Sequence, residues 1–168
     1  MKILFMFPNT SNEGVAPLGV ASLSTIARQE NCDLRYFESS FYRMGGSAYD
    51  DRKKSGEFKA FQNDVFDIQP REKLESDFLS LLDSFEPDIL AVHANSLEWE
   101  LFLEIMDNVG LHSRPFVIVG GCHSTVDAEG TISSEYVDAI CVGEGEKPWR
   151  ELLKAFKEGK DYSKIGGL

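Results

Sequence analysis

KILFMF, residues 2–7, is an apolar run that begins directly after Met1 and ends at Pro8. An apolar run without alternation is typical of a strand that is covered on both faces, as in a parallel sheet. The same pattern recurs four times along the chain, in 34–38 (LRYFE), 89–93 (ILAVH), 116–119 (FVIV) and 139–142 (AICV). We therefore predict five strands buried in one sheet.

Segments with helical periodicity separate these runs. They are 17–29, 70–85, 97–109, a short segment within 127–134, and about 147–157. Pro17 suits the first helical position and Gly110 a helix C-terminus. Alternating strands and helices require right-handed crossovers. The predicted fold is a three-layered, doubly wound parallel α/β sheet of the Rossmann-like (flavodoxin-like) type, with strand order 2-1-3-4-5.

The stretch 39–69 interrupts this alternation. It contains Gly45-Gly46-Ser47, mixed charges and scattered aromatic residues. Long irregular segments inside compact domains are usually functional or locally helical. We predict a helix at about 57–64, with the aromatic residues docked on the domain or on a partner. The length of 168 residues then predicts a single domain, 1–168, with an insertion at about 39–69.

Charge and cysteine content exclude several classes of partner and site. The net charge of -11 argues against nucleic acid and anionic membranes, which require clustered Lys and Arg. No apolar stretch approaches the length of a membrane span, and the first run is too short for a secretory signal. The cysteines Cys32, Cys122 and Cys141 are too far apart for a disulfide framework or a zinc site. We expect a cytoplasmic protein.

Four polar or glycine-rich segments follow predicted strands. They are 8–19, 94–97, 120–125 and 143–146. In a doubly wound sheet the ligand binds outside the carboxyl ends of the strands, where these segments converge. Their small residues would allow a large ligand to approach the backbone closely.

Individual residues in these loops leave several kinds of site open. A dinucleotide site is unfavourable, because no glycine-rich fingerprint follows the first strand. A flavodoxin-type phosphate loop at 10–14 remains an alternative, whereas a zinc site or a nucleophile triad around His123 fits poorly. For His123 itself, capping or packing against a ligand is favoured over metal binding. Glu144 and Glu146 suit solvated or helix-capping positions.

The loops also match a known family. The matching segments, in order, are 17–23 (PLGVASL), 87–90 (PDIL), 119–125 (VGGCHST) and 137–146 (VDAICVGEGE). Together they resemble the N-terminal cobalamin-binding domain of cobalamin-dependent radical S-adenosylmethionine enzymes, and 162–168 (YSKIGGL) resembles the bridge toward the catalytic barrel. The resemblance implies a domain that carries cobalamin for methyl transfer or related radical chemistry, such as tetrapyrrole ring closure. The iron-sulfur cluster and S-adenosylmethionine would belong to a C-terminal radical domain absent from this chain, since its cysteines lack the spacing for a cluster.

The resemblance further implies where the cofactor lies. The corrin would cross the strand ends and the nucleotide tail would enter a crevice between the first and third strands. The implied cofactor-binding residues are Asn9, Thr10, Leu18, Gly19, Asn95, Ser96, Leu97, Gly120, Gly121, His123, Thr125, Gly143, Glu144, Gly145 and Glu146. The first loop lacks the histidine of the Asp-x-His-x-x-Gly motif, so we expect no histidine from that loop on cobalt. A protein-interaction module that has lost the cofactor and a flavin carrier are the competing hypotheses.

Overall fold

The computed structural model describes residues 1–10, 17–44, 68–109 and 114–168. Within these residues five parallel strands form one sheet in the order β2-β1-β3-β4-β5. The strands are β1 (Lys2–Phe7), β2 (Asp33–Glu38), β3 (Ile89–His93), β4 (Phe116–Gly120) and β5 (Ala139–Ile140). The predicted fold class and strand order are confirmed.

Helices cover both faces of the sheet. They are α1 (Leu18–Gln29), α2 (Leu74–Phe85), α3 (Ser96–Val109), α4 (Cys122–Val126), α5 (Ala128–Ile132) and α6 (Glu146–Glu158). Alternate residues of the central strands enter separate cores: Leu90 and Val92 join the core beneath α2 and α3, whereas Ile89 and Ala91 join the core beneath α1 and α6. The apolar runs of β1, β3 and β4 are continuous because both faces of these strands are buried. The expectation that all five strands are buried is wrong for β2, which lies at the edge of the sheet with only Phe37 buried.

Two predicted elements differ in detail from the structure. The strand expected at 139–142 ends at Ile140, because the Val142 N–H leaves the sheet and donates to the Gly167 carbonyl at 2.9 Å. The weak segment at 127–134 is a single short helix, α5, and a second short helix, α4, precedes it directly after β4. The helix expected at 57–64 and the C-terminal role of Gly110 lie outside the described residues.

The C-terminal segment packs back onto the domain. Tyr162, Ile165 and Leu168 contact the core beneath α1 and α6, and the Tyr162 ring lies 5.4 Å from the Phe116 ring. The segment then reaches the carboxyl edge of the sheet, where the Gly167 carbonyl accepts from the Val142 N–H. No helix in the described part of the chain is long and apolar enough to cross a membrane.

Candidate functional site

A cleft opens at the carboxyl edge of the sheet, between α1 and α6. Sheet residues Phe5, Ala91 and Ile118 form its floor. Its walls are α1 with Gly19, Val20 and Leu23, the loop 143–145, and α6 with Glu146 and Trp149. The volume of about 170 Å³ is smaller than the roughly 300–1,000 Å³ that encloses a whole drug-sized ligand. The cleft can therefore take one arm of a large ligand, not the whole of it.

Hydrogen bonds join the two helical walls of the cleft. The Trp149 indole N–H donates to the Leu23 carbonyl at 3.1 Å, and the Ser22 hydroxyl donates to Glu146 Oε1 at 3.1 Å. Farther along the same helices, Arg150 pairs with Glu30 at 3.1 Å. These contacts fix the spacing of α1 and α6, so the cleft is formed before any ligand arrives.

Gly121 allows the backbone to turn tightly at the end of β4. Its φ is 107°, and a Cβ at this position would lie 2.7 Å from the Ala94 carbonyl oxygen and 3.2 Å from His93 Nδ1. A side chain here would both strain the backbone and meet the end of β3. The neighbouring Gly120 has ordinary space, because its Cβ would lie 3.7 Å from Cys141 Cβ.

His93 lies at the end of the central strand β3 and lines the cleft. Its ring is half-buried and lies 5.5 Å from the Phe7 ring. Burial lowers the pKa of this imidazole below its ordinary value, because desolvation disfavours the charged form. The cleft therefore contains a neutral imidazole at neutral pH.

Asn95 and Glu98 form a capping box at the start of α3. The Asn95 side-chain oxygen accepts from the N–H groups of Leu97 at 2.9 Å and Glu98 at 3.1 Å, and the Asn95 N–H donates to Glu98 Oε2 at 2.7 Å. These bonds satisfy backbone donors that a helix start otherwise leaves free. The predicted ligand residue Asn95 thus has a structural role in this chain.

His123 is buried under the carboxyl edge and contacts α3. Its Nδ1 lies 3.2 Å from the Ser96 hydroxyl and its ring stacks on Trp99 at 5.0 Å. Its Nε2 is buried and has no hydrogen-bond partner in the described residues. These contacts connect α4 to the first turn of α3, and the predicted packing of His123 against a ligand stays a prediction.

The loop after β5 is tied to the loop after β4. The Thr125 hydroxyl donates to the Gly121 carbonyl at 3.1 Å and accepts from the Gly143 N–H at 3.1 Å. The buried Ser124 hydroxyl lies 2.8 Å from the Cys141 carbonyl oxygen, to which it donates. Gly143 itself has a φ of 78°. The two loops therefore form one continuous rim on this side of the cleft.

The structure brings about half of the sequence-predicted ligand residues to the cleft. Those that line it are Gly19, Gly120, Gly121, Gly143, Glu144, Gly145 and Glu146. Four more lie around the same edge of the sheet without lining the cleft, namely Ser96, Leu97, His123 and Thr125. The side chains of Leu18 and Leu97 are largely exposed, at 79% and 70%. Asn9 is buried, and its backbone carbonyl accepts a hydrogen bond from the Ser39 hydroxyl. Thr10 is the next residue in the chain. These placements leave the ligand role of each residue a prediction.

Sequence reasoning omitted the apolar half of the cleft. The omitted lining residues are Phe5, Val20, Leu23, Ala91, Val92, His93, Ile118, Cys141, Trp149 and Leu168. Most carry no chemical signal, since a strand or helix residue that lines a cleft resembles a core residue in sequence. His93 was identifiable, because an imidazole at the end of an apolar strand occupies the edge where ligands bind.

The cleft fits the nucleotide tail of a cobalamin better than it fits a metal ion alone. Its floor is apolar, and its rim contains the backbone of Gly120, Gly143 and Gly145. An aromatic base needs such an apolar slot with few polar groups. Among the described residues, no group of three or more His, Cys, Asp or Glu side chains could hold a metal ion.

Solved structures of larger enzymes share this fold. The radical S-adenosylmethionine methyltransferase TsrM from Kitasatospora setae, with tryptophan and an S-adenosylmethionine analogue bound, matches with a TM-score of 0.67 and 18% identity over 99% of this chain and 28% of that one. The same enzyme with cobalamin and a [4Fe-4S] cluster bound matches at 0.66, with 18% identity, over 99% of this chain and 26% of that one. OxsB, a cobalamin-dependent S-adenosylmethionine radical enzyme, matches at 0.63 with 20% identity, over 99% of this chain and 20% of that one.

Sequence comparison points the same way. The chain is 25% identical, over its full length, to an uncharacterized methyltransferase of Pyrococcus horikoshii and covers 32% of that protein. It therefore spans a third or less of the length of the relatives named here. The model of the B12 binding domain family matches residues 55–153, which are more than half of the chain. The chain belongs to the B12-binding domain family.

Proposed function

We propose that this chain binds cobalamin at the carboxyl edge of its sheet and carries it as one domain of a radical S-adenosylmethionine enzyme. The nucleotide tail enters the cleft between α1 and α6, and the corrin ring lies across the strand ends. Bound cobalamin supplies a cobalt centre that can carry a methyl group. The chain itself contributes the pocket, the orientation of the ligand and the exclusion of water from the tail.

The observation that carries this proposal is the preformed cleft of about 170 Å³ beside Gly121. Its walls are fixed by the bonds of Ser22 and Leu23 to α6, so little conformational entropy is lost on binding. Its size suits a tail and leaves the bulk of the ligand outside. Exposed apolar residues at the same edge, including Leu18, Leu97 and Val142, are available to contact that bulk.

The relatives support the rest of the proposal. TsrM and OxsB are enzymes in which a domain of this fold occupies a minor part of a much longer chain. We infer a similar arrangement here, with the catalytic radical domain, its iron-sulfur cluster and its S-adenosylmethionine supplied outside these residues. Methyl transfer is the favoured reaction, because the curated relative is named as a methyltransferase.

Reconstitution tests the proposal. The purified chain is incubated with hydroxocobalamin and desalted, and its visible spectrum should then retain corrin absorbance in stoichiometric amount. A folded chain without corrin absorbance would contradict cobalamin binding. A yellow flavin spectrum in the protein as purified would favour the flavin carrier instead.

Two leucine substitutions locate the site. Gly19→Leu should abolish corrin retention, because a Cβ at Gly19 fits 3.9 Å from His93 and the rest of the side chain then fills the cleft. Gly166→Leu is the matched control, since a Cβ there meets nothing within 4 Å. Equal retention by the two variants would place the ligand elsewhere.

A further inference from the structure

We infer that His93 is the residue that recognises the aromatic base at the end of the cobalamin tail, through a hydrogen bond from its imidazole within the cleft. This inference rests on the proposed function, because it assumes that the tail occupies the cleft. It assigns a specific role to a residue that sequence reasoning did not select.

The position of His93 directs its side chain into the cleft. His93 pairs with Gly120 at the end of β3, between β1 and β4. Side chains alternate along a strand, and Ile89 and Ala91 face the core beneath α1 and α6. His93 continues that face at the level where the sheet ends and the cleft opens.

The imidazole has hydrogen-bonding capacity that the described residues do not use. No hydrogen bond or ion pair joins its nitrogens to any described residue, and its recorded ring contact is with Phe7 at 5.5 Å. Neither nitrogen is among the buried, unpaired side-chain atoms of the described residues, so both are open to solvent in the cleft. A ligand in the cleft could replace that water as the hydrogen-bond partner of the imidazole.

Glycines border the ring where side chains would otherwise crowd it. A Cβ at Gly121 would lie 3.2 Å from His93 Nδ1, and a Cβ at Gly19 would lie 3.9 Å from the same atom. The imidazole is therefore approachable from the first turn of α1, whereas the Ala94 backbone closes the Gly121 side. A planar base could reach it without rearrangement of the backbone.

The chemistry of the cleft favours a neutral aromatic base over a phosphate. Burial lowers the His93 pKa, so the imidazole is neutral at pH 7 and can both donate and accept a hydrogen bond. The charged residues that line the cleft are the carboxylates Glu144 and Glu146, so no cationic side chain of the lining would pair with a phosphate beside His93. The remaining floor and walls are largely apolar.

Comparison of two ligands tests this role. Cobalamin and cobinamide share the corrin ring, but cobinamide lacks the nucleotide and its base. Absorbance titrations of the whole chain give the Kd of each ligand. His93→Ala should weaken cobalamin binding about tenfold, the order expected for loss of one hydrogen bond, and leave cobinamide binding unchanged. The glutamine of His93→Gln retains a donor and an acceptor. The Kd of this variant for cobalamin should therefore lie between those of the wild type and His93→Ala.

The control variant is Asn108→Ala, which removes an exposed polar side chain at the far end of α3 and should change neither Kd. Cobinamide binding also reports that each His93 variant is folded. An equal loss for both ligands, or no loss for cobalamin, would overturn the inference. If wild-type protein binds neither ligand, the proposed function fails as well.

Electron paramagnetic resonance of the Co(II) complex, with ¹⁵N-labelled protein, provides an independent measurement. A base held by His93 is detached from cobalt, so the spectrum should show no nitrogen coupling. A ¹⁵N doublet would place a protein histidine on cobalt, and a ¹⁴N triplet would place the base there. The ¹⁴N triplet would overturn the inference, and so would a ¹⁵N doublet that disappears in His93→Ala, because His93 would then be the cobalt ligand.

Discussion

Gly121 connects the end of β4 to α4 at a point where two strand ends meet. Its positive φ and the proximity of the Ala94 carbonyl each exclude a side chain. Its neighbour Gly120 has neither restriction, although sequence alone gives the two glycines equal weight. The difference between them is visible only once β3 and β4 are paired.

Replacement of Gly121 by alanine should therefore destabilise the fold. A Cβ placed 2.7 Å from backbone forces a shift of β3 or of the turn, in addition to the cost of the positive φ. We expect Gly121→Ala to lower the free energy of unfolding by about 2 kcal/mol or more in urea titrations followed by circular dichroism. Gly120→Ala should change it by less than about 0.5 kcal/mol. Equal effects would contradict this account of the turn.

The start of α3 illustrates how one element combines stability and site geometry. Its capping box uses Asn95 and Glu98, and Glu98 is only 5% exposed. Burial raises the pKa of the Glu98 carboxyl, although its hydrogen bond from the Asn95 N–H acts in the opposite direction. The charge therefore weakens the folded state above the folded pKa, and this penalty disappears below the unfolded value of 4.5.

Glutamine at position 98 should relieve that penalty and retain the hydrogen bond. We expect Glu98→Gln to raise the thermal midpoint at pH 7.5 by up to about 4 °C, which corresponds to about 1 kcal/mol in a domain of this size. The gain should vanish at pH 4. Glu98→Ala loses the capping bond and should lower the midpoint at both pH values. A lower midpoint for Glu98→Gln at pH 7.5 would show that the charge stabilises the helix.

An ion pair connects the beginnings of β4 and β5. Desolvation raises the Asp138 pKa, but hydrogen bonds from Arg114 and from the Val117 N–H outweigh it, so this pKa lies below its ordinary value. A depressed pKa contributes stability above the unfolded value of 3.8 that is lost as pH falls through the folded pKa. The short strand β5 depends on this contact, since its ladder has two residue pairs.

Asp138→Asn should accordingly lower stability at pH 7 by roughly 1 kcal/mol. The difference from wild type should be constant above pH 3.8 and shrink as pH falls below it, measured by urea unfolding at each pH. Asp33→Asn, which removes an exposed carboxylate with a 3.8 Å contact to Arg35, is the comparison and should have little effect. A difference that persists undiminished at pH 3 would rule out the ionic explanation.

At the scale of the whole molecule, the site is assembled from segments distant in sequence. Gly19, His93, Gly121 and Glu146 line one cleft only because four crossovers return every strand in the same direction. Ligand binding is therefore linked to global folding.

Hydroxocobalamin at about 100 times its Kd should stabilise the chain by about 2.7 kcal/mol, or roughly 5–11 °C in the thermal midpoint. Ellipticity at 222 nm measures this shift, and an unchanged midpoint would contradict binding to the folded domain.

The strand order and fold class were predictable because β1, β3 and β4 are buried on both faces, which leaves unbroken apolar runs in the sequence. The edge strand β2 has a weaker signal, since only Phe37 is buried. The glycine-rich rim of the cleft was predictable because small residues at strand ends are distinctive. The apolar floor was not, because Phe5, Ala91 and Ile118 look like any core residue. The end of β5 at Ile140 was also unpredictable, since it depends on the distant pairing of Val142 with Gly167.

The central place of β1 in the sheet has a consequence for synthesis of the chain. Ile3 pairs with Ile89, so one side of β1 stays unpaired until β3 has left the ribosome. At roughly 5–20 residues per second this interval is on the order of 4–17 seconds. Throughout it, the nascent KILFMF segment presents an apolar strand edge, which is a template for aggregation. The run that defines the sheet is thus also an aggregation-prone part of the nascent chain until β3 emerges.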